Sequence, residues 1–595
     1  MRAGVAGRGQ AWCRDACLLL LASLAAGCGP SADREHLESL ARRAPLFVDV
    51  APEVGLDFVH FNGMSGELYY AEIMGAGAAL FDYDGDGDLD AFLVQGEMLD
   101  TEQPPAAASF PPRGSMLPLG SRLYRNELVP GGRLRFTDVT AASGLATDLY
   151  GMGVAVGDVD ANGHLDLFVT GLGSCELWLA RGDGTFRNAT GEAGLADPRW
   201  GASASFLDFD LDGRLDLYVT GYLDFAVERH HLCKSMTGEP DYCPPWEYPP
   251  QHDRLLRNRG DGRFEDVSAA MGITREARRG MGVVAGDWNG DGWPDLYVSN
   301  DGDPNSLWLN REGQRFEDVG DSAGAAVAET GSPKAGMGLA VGDPDGDGDE
   351  DLLVTNLALQ SATLFRLDGS GPVFTDATKA SGLEDITWAG TGFGTAFLDA
   401  DNDGWLDLLV VNGGIEKIPS LAAINDPFPL RMPKRFAINV GGGRFRDASP
   451  LAGPAITTAE VSRGVALGDL DNDGDTDVLV TNNAGPARLL ENRAGQDSHW
   501  LGLRLVGRGG GDAVGARVEV RREGGPPLVR RSRTDGSYLT SSDPRVLFGL
   551  GASTAAVTVV VEWPGGGRES FAPPLDRYTT LVEGTGLAEA HGGPP

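Results

Sequence analysis

One nine-residue block recurs seven times in this chain: Asp-x-Asp/Asn-x-Asp/Asn-Gly-x-x-Asp. Its first, third, fifth and ninth positions hold Asp82, Asp84, Asp86 and Asp90 in the first copy, and Asp158, Asp160, Asn162 and Asp166 in the second. The third has Asp208, Asp210, Asp212 and Asp216; the fourth Asp287, Asn289, Asp291 and Asp295; the fifth Asp343, Asp345, Asp347 and Asp351. The sixth has Asp399, Asp401, Asp403 and Asp407, and the seventh Asp469, Asp471, Asp473 and Asp477. Of these 28 side chains 26 are carboxylates. Four acidic groups on nine residues repel one another unless a cation sits among them. A hard cation with flexible all-oxygen coordination is calcium, which would also take the backbone carbonyl of position 7. Gly at position 6 permits the tight turn that aims the oxygens inward. The expected complement is about one calcium per repeat, up to seven.

Two other readings of the block compete. An EF-hand needs a bidentate Glu at position 12 between helices; here position 12 is Leu93, Val169, Val219, Val298, Val354, Val410 and Val480, inside strand-like runs. Metal-free Asx-turns need one or two Asp, not four. Asn162 and Asn289 each remove a charge, Pro294 constrains the fourth loop, and Glu350 and Thr476 replace the usual Leu at position 8. These substitutions mark the expected weaker sites.

The flanking residues say what must position the loops. A small-residue strand precedes each block, as in Gly151-Met152-Gly153-Val154, and a β-branched run follows, as in Leu167-Phe168-Val169-Thr170. Then come a strand ending in Asn (Asn126, Asn258, Asn310) and a Phe-x-Asp motif (Phe136, Phe264, Phe316, Phe374). Four short strands per unit, separated by Gly-rich turns, read as a propeller blade. Intervals of 76, 50, 79, 56, 56 and 70 residues place insertions around 96–121, 221–253 and 413–435. The array opens on the fourth-strand motif at Phe47 and ends on the third-strand motif Leu489-Leu490-Glu491-Asn492, so the first strand would complete the last blade. Closure removes exposed sheet edges; an open β-solenoid is the alternative. The expected fold is all-β: a seven-bladed β-propeller with calcium-binding loops, followed by a small β-rich C-terminal domain.

The 595 residues carry 86 Asp+Glu against 49 Lys+Arg, a net charge of -37, which excludes a nucleic-acid partner. Arg2, Arg8 and Arg14 precede an 11-residue apolar run at 16–26, too short to span a bilayer and suited to a signal peptide. Ala26-Gly27-Cys28 resembles a lipobox, although Leu24 stands one place early; the other possibility is an ordinary cleaved signal. The expected parts are a signal peptide at 1–27, a lipidated N-terminus through Cys28 and linker at 28–45, the propeller at 46–495, and the β domain at 497–585. Membrane association is expected only through that lipid, on the outer membrane or cell surface or in the periplasm. Cys233 and Cys243 are expected to form a disulfide, which export permits; a zinc site with His230, His231 and His252 is the competing reading. Cys175 reads as a buried thiol, and His36 and His591 as tail residues.

The blocks resemble FG-GAP/VCBS repeats. Their combination with Phe136-x-Asp138-Val139 and Leu123-Tyr124-Arg125-Asn126 is similar to the cartilage acidic protein family. The segments His499-Trp500-Leu501-Gly502, Gly536-Ser537-Tyr538-Leu539-Thr540-Ser541 and Val561-Glu562-Trp563-Pro564-Gly565 resemble an ASPIC/UnbV domain. Gly507 to Gly511 depart from that pattern. The resemblance implies extracellular calcium binding and adhesion or matrix-like roles, and supplies no catalytic residues.

No Gly-x-Ser-x-Gly elbow or ordered triad is present. The expected function is non-catalytic: an exported calcium-binding lipoprotein that binds an extracellular protein or polysaccharide, or acts as a scaffold, through its three insertions. The alternative is a propeller enzyme, or an enzyme accessory factor, acting on extracellular polysaccharide. A binding module predicts no pocket at the propeller axis that gathers carboxylates, His or Arg from outside the loops.

Overall fold

Each Asp block is a turn between two apolar runs, and those runs pair antiparallel across it. Ala78–Phe81, Asp90–Leu93, Arg122–Asn126 and Phe136–Asp138 form the first sheet in that order. The pattern repeats from the inner strands Tyr150–Gly157, Gly201–Leu207, Gly280–Gly286, Leu339–Gly342, Gly392–Leu398 and Ser462–Gly468. In the last sheet the outer strand is Phe47–Asp49, with Phe47 opposite Asn492, so the chain's first strand closes the ring. The computed structural model describes residues 31–589 except Met236, Thr237, Asp261, Ser370 and Gly524. Among the described residues there are seven such blades, and their inner strands touch in a closed circle. The expected signal peptide and the expected lipidation at Cys28 lie outside the described residues. No helix among the described residues is long and apolar enough to cross a membrane.

Blades hold together through apolar faces pressed between neighbours. Leu80, Leu93 and Tyr124 of the first blade meet Ala466, Leu479 and Leu489 of the last. Where neighbouring inner strands meet there is little room for side chains, which suits the Gly residues found there. A Cβ on Gly338 would lie 2.1 Å from the Phe393 carbonyl oxygen.

From residue 31 the segment expected to be a linker is ordered against the propeller. Ser31–Arg43 is a helix whose Leu37 and Leu40 are buried against Phe47, Phe436 and Ile438 between the sixth and seventh blades. It is amphipathic enough to dock: Asp33 at its start pairs with Arg446 at 3.0 Å, and Arg43 at its end pairs with Asp497 at 3.5 Å.

The C-terminal domain packs a three-stranded sheet (Val546–Gly551, His499–Val506, Tyr578–Val582) on a five-stranded one that includes Arg517–Arg521 and Thr558–Glu562. Leu501, Leu503, Val518, Phe548, Val561 and Trp563 fill its core. One loop leaves this domain and enters the propeller axis. Thr540–Ser541 pairs in parallel with the first blade's inner strand. The Leu539 carbonyl accepts from the Val154 amide at 3.2 Å, and its amide donates to Ser203 Oγ at 3.2 Å. Asp535 Oδ2 accepts from the Ala285 amide at 2.7 Å. Ser537 exchanges backbone bonds with Leu339, and its Oγ accepts from the Thr395 amide. Thr540 Oγ1 donates to the Val465 carbonyl at 2.7 Å. This plug therefore touches the inner strand of every blade.

The three insertions all join second to third strands, so they emerge on the face opposite the Asp loops. They do not stand apart. Phe110 meets Phe428 at 5.1 Å, and Lys417 Nζ donates to the Pro240 carbonyl at 2.7 Å. Together with residues 60–76 they roof the axis over a buried cluster that includes Tyr70, Trp200, Tyr222, Tyr242 and Phe393. Tyr538 of the plug reaches this cluster from the other side, 5.0 Å from Phe393. Cys233 and Cys243 are joined by a disulfide across the third-blade insertion, with Cα atoms 4.9 Å apart. A bridge closing so short a loop contributes on the order of 2–3 kcal/mol, mainly by restricting the unfolded chain. Changing both cysteines to Ser is expected to lower denaturant stability by that amount; an unchanged unfolding midpoint would show that the roof holds without it. Cys175 is buried, its Sγ 3.0 Å from the Leu195 carbonyl.

Candidate metal centre

All seven loops share one architecture. The position-1 carboxylate accepts backbone N–H groups from positions 5 and 6: Asp158 from Asn162 and Gly163, Asp399 from Asp403 and Gly404, Asp469 from Asp473 and Gly474. Position 6 takes a left-handed backbone, which Gly adopts without a Cβ clash. Position 4 is left-handed as well, and there the residue is Gly85, Ala161, Leu211, Gly290, Gly346, Asn402 or Asn472. Ala161 and Leu211 bear a strain of about 1–2 kcal/mol each in that conformation. Such strain persists only where the surroundings over-determine the loop.

The position-9 carboxylates brace the loops. Asp166 Oδ2 accepts from the Val159 amide at 2.9 Å and Oδ1 from Ala180 at 2.8 Å. Asp216, Asp295, Asp407 and Asp477 repeat the pattern, each with position 2 of its own loop and with a third-strand amide. The fifth loop breaks it. Position 2 there is Pro344, which has no N–H, so Asp351 Oδ2 is buried without a partner.

The third-strand Asn residues carry a role that their recurrence signalled but did not explain. Their side chains cross to the preceding blade and donate to the carbonyl of loop position 2: Asn258 to Val159, Asn310 to Phe209, Asn439 to Pro344, Asn492 to Ala400 and Asn126 to Leu470. Each loop so clasped is fixed by its neighbour, and the ring spaces the sites.

The donors fit a hard cation. Oδ1 of the position-3 residues Asp160, Asp210, Asp401 and Asp471 is buried and has no hydrogen-bond partner. A buried unpaired carboxylate oxygen is costly, and a cation would partner it. In the second and third loops, Asp158, Asp160 and Asp166, and Asp208, Asp210 and Asp216, bring ligand oxygens within 4.8 Å of one another. Burial pushes Asp166, Asp216 and Asp295 up to about 8, with neighbouring loop carboxylates adding to the rise. A divalent ion would displace those protons. Of the charge-reduced loops, Asn162 turns its amide to the Ala180 carbonyl, and Asn289 donates to Asp291 Oδ2 at 2.8 Å.

The loops fall into two groups that the sequence did not separate. The C-terminal domain covers the fifth, sixth and seventh. Their position-1 residues Asp343, Asp399 and Asp469 are buried, while Asp82, Asp158, Asp208 and Asp287 are half-buried. The Gly549 amide donates to Asp399 Oδ2 at 3.1 Å, and the Tyr578 hydroxyl donates to Asp469 Oδ2 at 3.1 Å. A cleft of about 320 Å³ separates Asp158, Asp160 and Asp208 from residues 507–514. Glu350, which replaces the usual Leu at position 8, is well packed. It is buried under the C-terminal domain, between Arg531 Nε at 2.6 Å and Arg533 Nη2 at 2.8 Å. Thr476 is half-buried beside a second cavity, which Glu350 also lines.

That cavity, about 170 Å³, lies between the plug and the inner strands of the fifth to seventh blades. It gathers Arg530, Arg531, Arg533 and Arg545 with Glu350, Asp535 and Asp543, so the expectation of an axis without such groups fails. The plug brings them there, and they pair: Glu350 with Arg531 and Arg533, and Arg545 with Asp543 at 2.7 Å. A network of paired charges is the structural alternative to a catalytic site. His230 and His231 lie on the roof, where His230 Nε2 is 2.8 Å from the Glu67 carbonyl.

Residues 507–588 match the family described as ASPIC and UnbV, and 158–219, 248–298, 287–354, 343–410 and 431–480 match the FG-GAP-like repeat. The chain joins FG-GAP-like repeats to an ASPIC and UnbV domain. Among curated proteins it is similar to human cartilage acidic protein 1, 30% identical over 168 residues, which is 27% of this chain and 24% of that protein. The mouse protein of the same name is 24% identical over 338 residues, 55% of this chain and 40% of that one. The alignments thus span less than half of those relatives. Among solved structures, an Agrocybe aegerita lectin that recognises non-reducing terminal N-acetylglucosamine gives a TM-score of 0.36 at 16% identity, over 63% of this chain and 89% of that one. A likeness at that level carries no argument. The FG-GAP-like segments run from the second Asp loop to the seventh, through the blades described above.

Proposed function

We propose that this FG-GAP/ASPIC and UnbV protein is an exported, calcium-stabilised propeller that binds an extracellular protein or polysaccharide without catalysing a reaction. The observation that carries the calcium reading is the set of buried, unpartnered position-3 oxygens in loops that already hold three or four carboxylates. Export is supported by the signal-like N-terminal run and the disulfide, and a lipid on Cys28 would hold the chain at the cell envelope. The partner-binding reading rests on the roof, where Leu232, Trp246 and Ile424 are exposed on the converging insertions. Exposed aromatic and aliphatic side chains on insertion loops suit recognition.

Metal titration with elemental analysis tests the calcium reading. Calcium should bind in several sites and displace protons, so its affinity rises with pH through the range where the loop carboxylates titrate. Magnesium should substitute poorly, since it demands tighter octahedral geometry. Replacing Asp469 and Asp473 together by Ala should cost more stability in calcium than replacing Asp287 and Asp291, because the seventh loop is covered by the C-terminal domain and the fourth is more open. Equal costs, or a chain that takes up no calcium, would count against it. A pull-down from the native cell surface, comparing the intact chain with a Trp246→Ala variant, tests the binding face.

A further inference from the structure

We infer that the sixth loop is a mixed carboxylate–imidazole site, in which His36 supplies a nitrogen ligand and the ion held is a divalent first-row transition metal. The inference rests on the reading that these loops hold cations, and refines it for one of them. His36 lies on the helix Ser31–Arg43, which is pinned at both ends and along its apolar face: by Asp33 on Arg446, by Leu37 and Leu40 in the interblade core, and by Arg43 on Asp497. The imidazole is therefore presented to the loop rather than swinging past it.

The geometry is that of two ligands sharing an ion. His36 Nε2 stands 3.3 Å from Asp401 Oδ2. Two donors each bonded at about 2.1 Å, at tetrahedral to octahedral angles, are about 3.0–3.4 Å apart. The contact does not serve as a hydrogen bond: His36 Nε2 is a buried atom without a hydrogen-bond partner. Asp401, only 7% exposed, also leaves Oδ1 without a partner. His36, Asp401 and Asp403 place their ligand atoms within 4.8 Å of one another. Calcium takes oxygen ligands, whereas imidazole suits zinc, copper, iron and nickel, and carboxylates suit manganese. A site offering both favours a transition ion over calcium.

The experiment uses the intact chain, stripped of metal and reloaded with manganese, with zinc and with calcium in separate arms. Pulsed electron paramagnetic resonance of the manganese form should show nitrogen coupling to one bound ion. His36→Gln and His36→Ala should abolish that coupling, leave the manganese bound by the other loops, and weaken the tightest zinc site about tenfold or more. Melting in calcium checks that both variants are folded; Gln preserves the helix if Ala does not. Manganese bound without nitrogen coupling, or coupling that survives both substitutions, overturns the inference while leaving the calcium reading intact. Failure of the chain to take up any divalent ion overturns both.

Discussion

Chelating calcium should lower the melting temperature of the intact chain sharply and loosen the C-terminal domain before the ring opens. Without cations, each loop confines three or four carboxylates, with buried position-3 oxygens left unpaired. A site whose ligand is present at 100 times its dissociation constant adds about 2.7 kcal/mol to folding. Several such sites rival the net stability of a typical domain, about 5–15 kcal/mol. The order of events follows from what touches what. Gly549 and Tyr578 donate directly to Asp399 and Asp469, so an emptied sixth or seventh loop disturbs the seat of the C-terminal domain. The four half-buried loops should lose calcium first, in a fast phase that spares the interface. The three covered loops should release their ions slowly, and proteolysis near residues 493–499 should track that slow phase. Stopped-flow chelation, thermal melts and limited proteolysis read these steps separately. A metal-free chain with an unchanged melting temperature would reduce the loops to ordinary turns.

The blades were legible because the repeat writes each strand seven times, and the phase of Phe47 and Asn492 told where the ring closes. Position 6 of the loops was legible because only Gly appears there. Position 4 was not, although its backbone is equally left-handed, because Ala161, Leu211, Asn402 and Asn472 hide the constraint behind varied side chains. The interblade role of Asn258 and its counterparts was visible only as recurrence, since their partners lie on the preceding blade. The plug left no periodic trace: Gly536-Ser537-Tyr538-Leu539-Thr540 is a loop whose hydrogen bonds are all long-range. His36 was assigned to a tail for the same reason, since the helix that carries it gains its order from docking. Short helices of modest apolar content draw their stability from tertiary packing.

Glu350 separates the two ways of reading a loop position most sharply. Judged by its neighbours in the repeat, it replaces a core Leu, and Glu350→Leu should stabilise the fifth blade. Judged by its contacts, the same change should destabilise the docked state by about 3–5 kcal/mol, the cost of breaking a buried ion pair by removing one partner. Arg531 and Arg533 both point at it from the C-terminal domain; without it Arg531 would lose its carboxylate at 2.6 Å, and Arg533 would be left with Asp535 at 3.8 Å. Burial by itself would raise Glu350, but the two guanidiniums outweigh it and hold the carboxyl at about 2. Its folded value is thus depressed, so its contribution is complete above the ordinary carboxylate range, near 4.5, and is lost as pH falls from there toward 2. Glu350→Gln should flatten that part of the pH–stability profile, and Glu350→Leu should do so as well. Replacing Glu350, Arg531 and Arg533 together by Leu, Met and Met should recover much of the loss, since an apolar trio of similar volume avoids the desolvation of three charges. Denaturant unfolding at neutral and acid pH, with the proteolytic release of the C-terminal domain as a second probe, measures all three variants. A Glu350→Leu chain more stable than the parent would mean that the arginines find other partners, and that the ion triad does not clamp the domain to the ring.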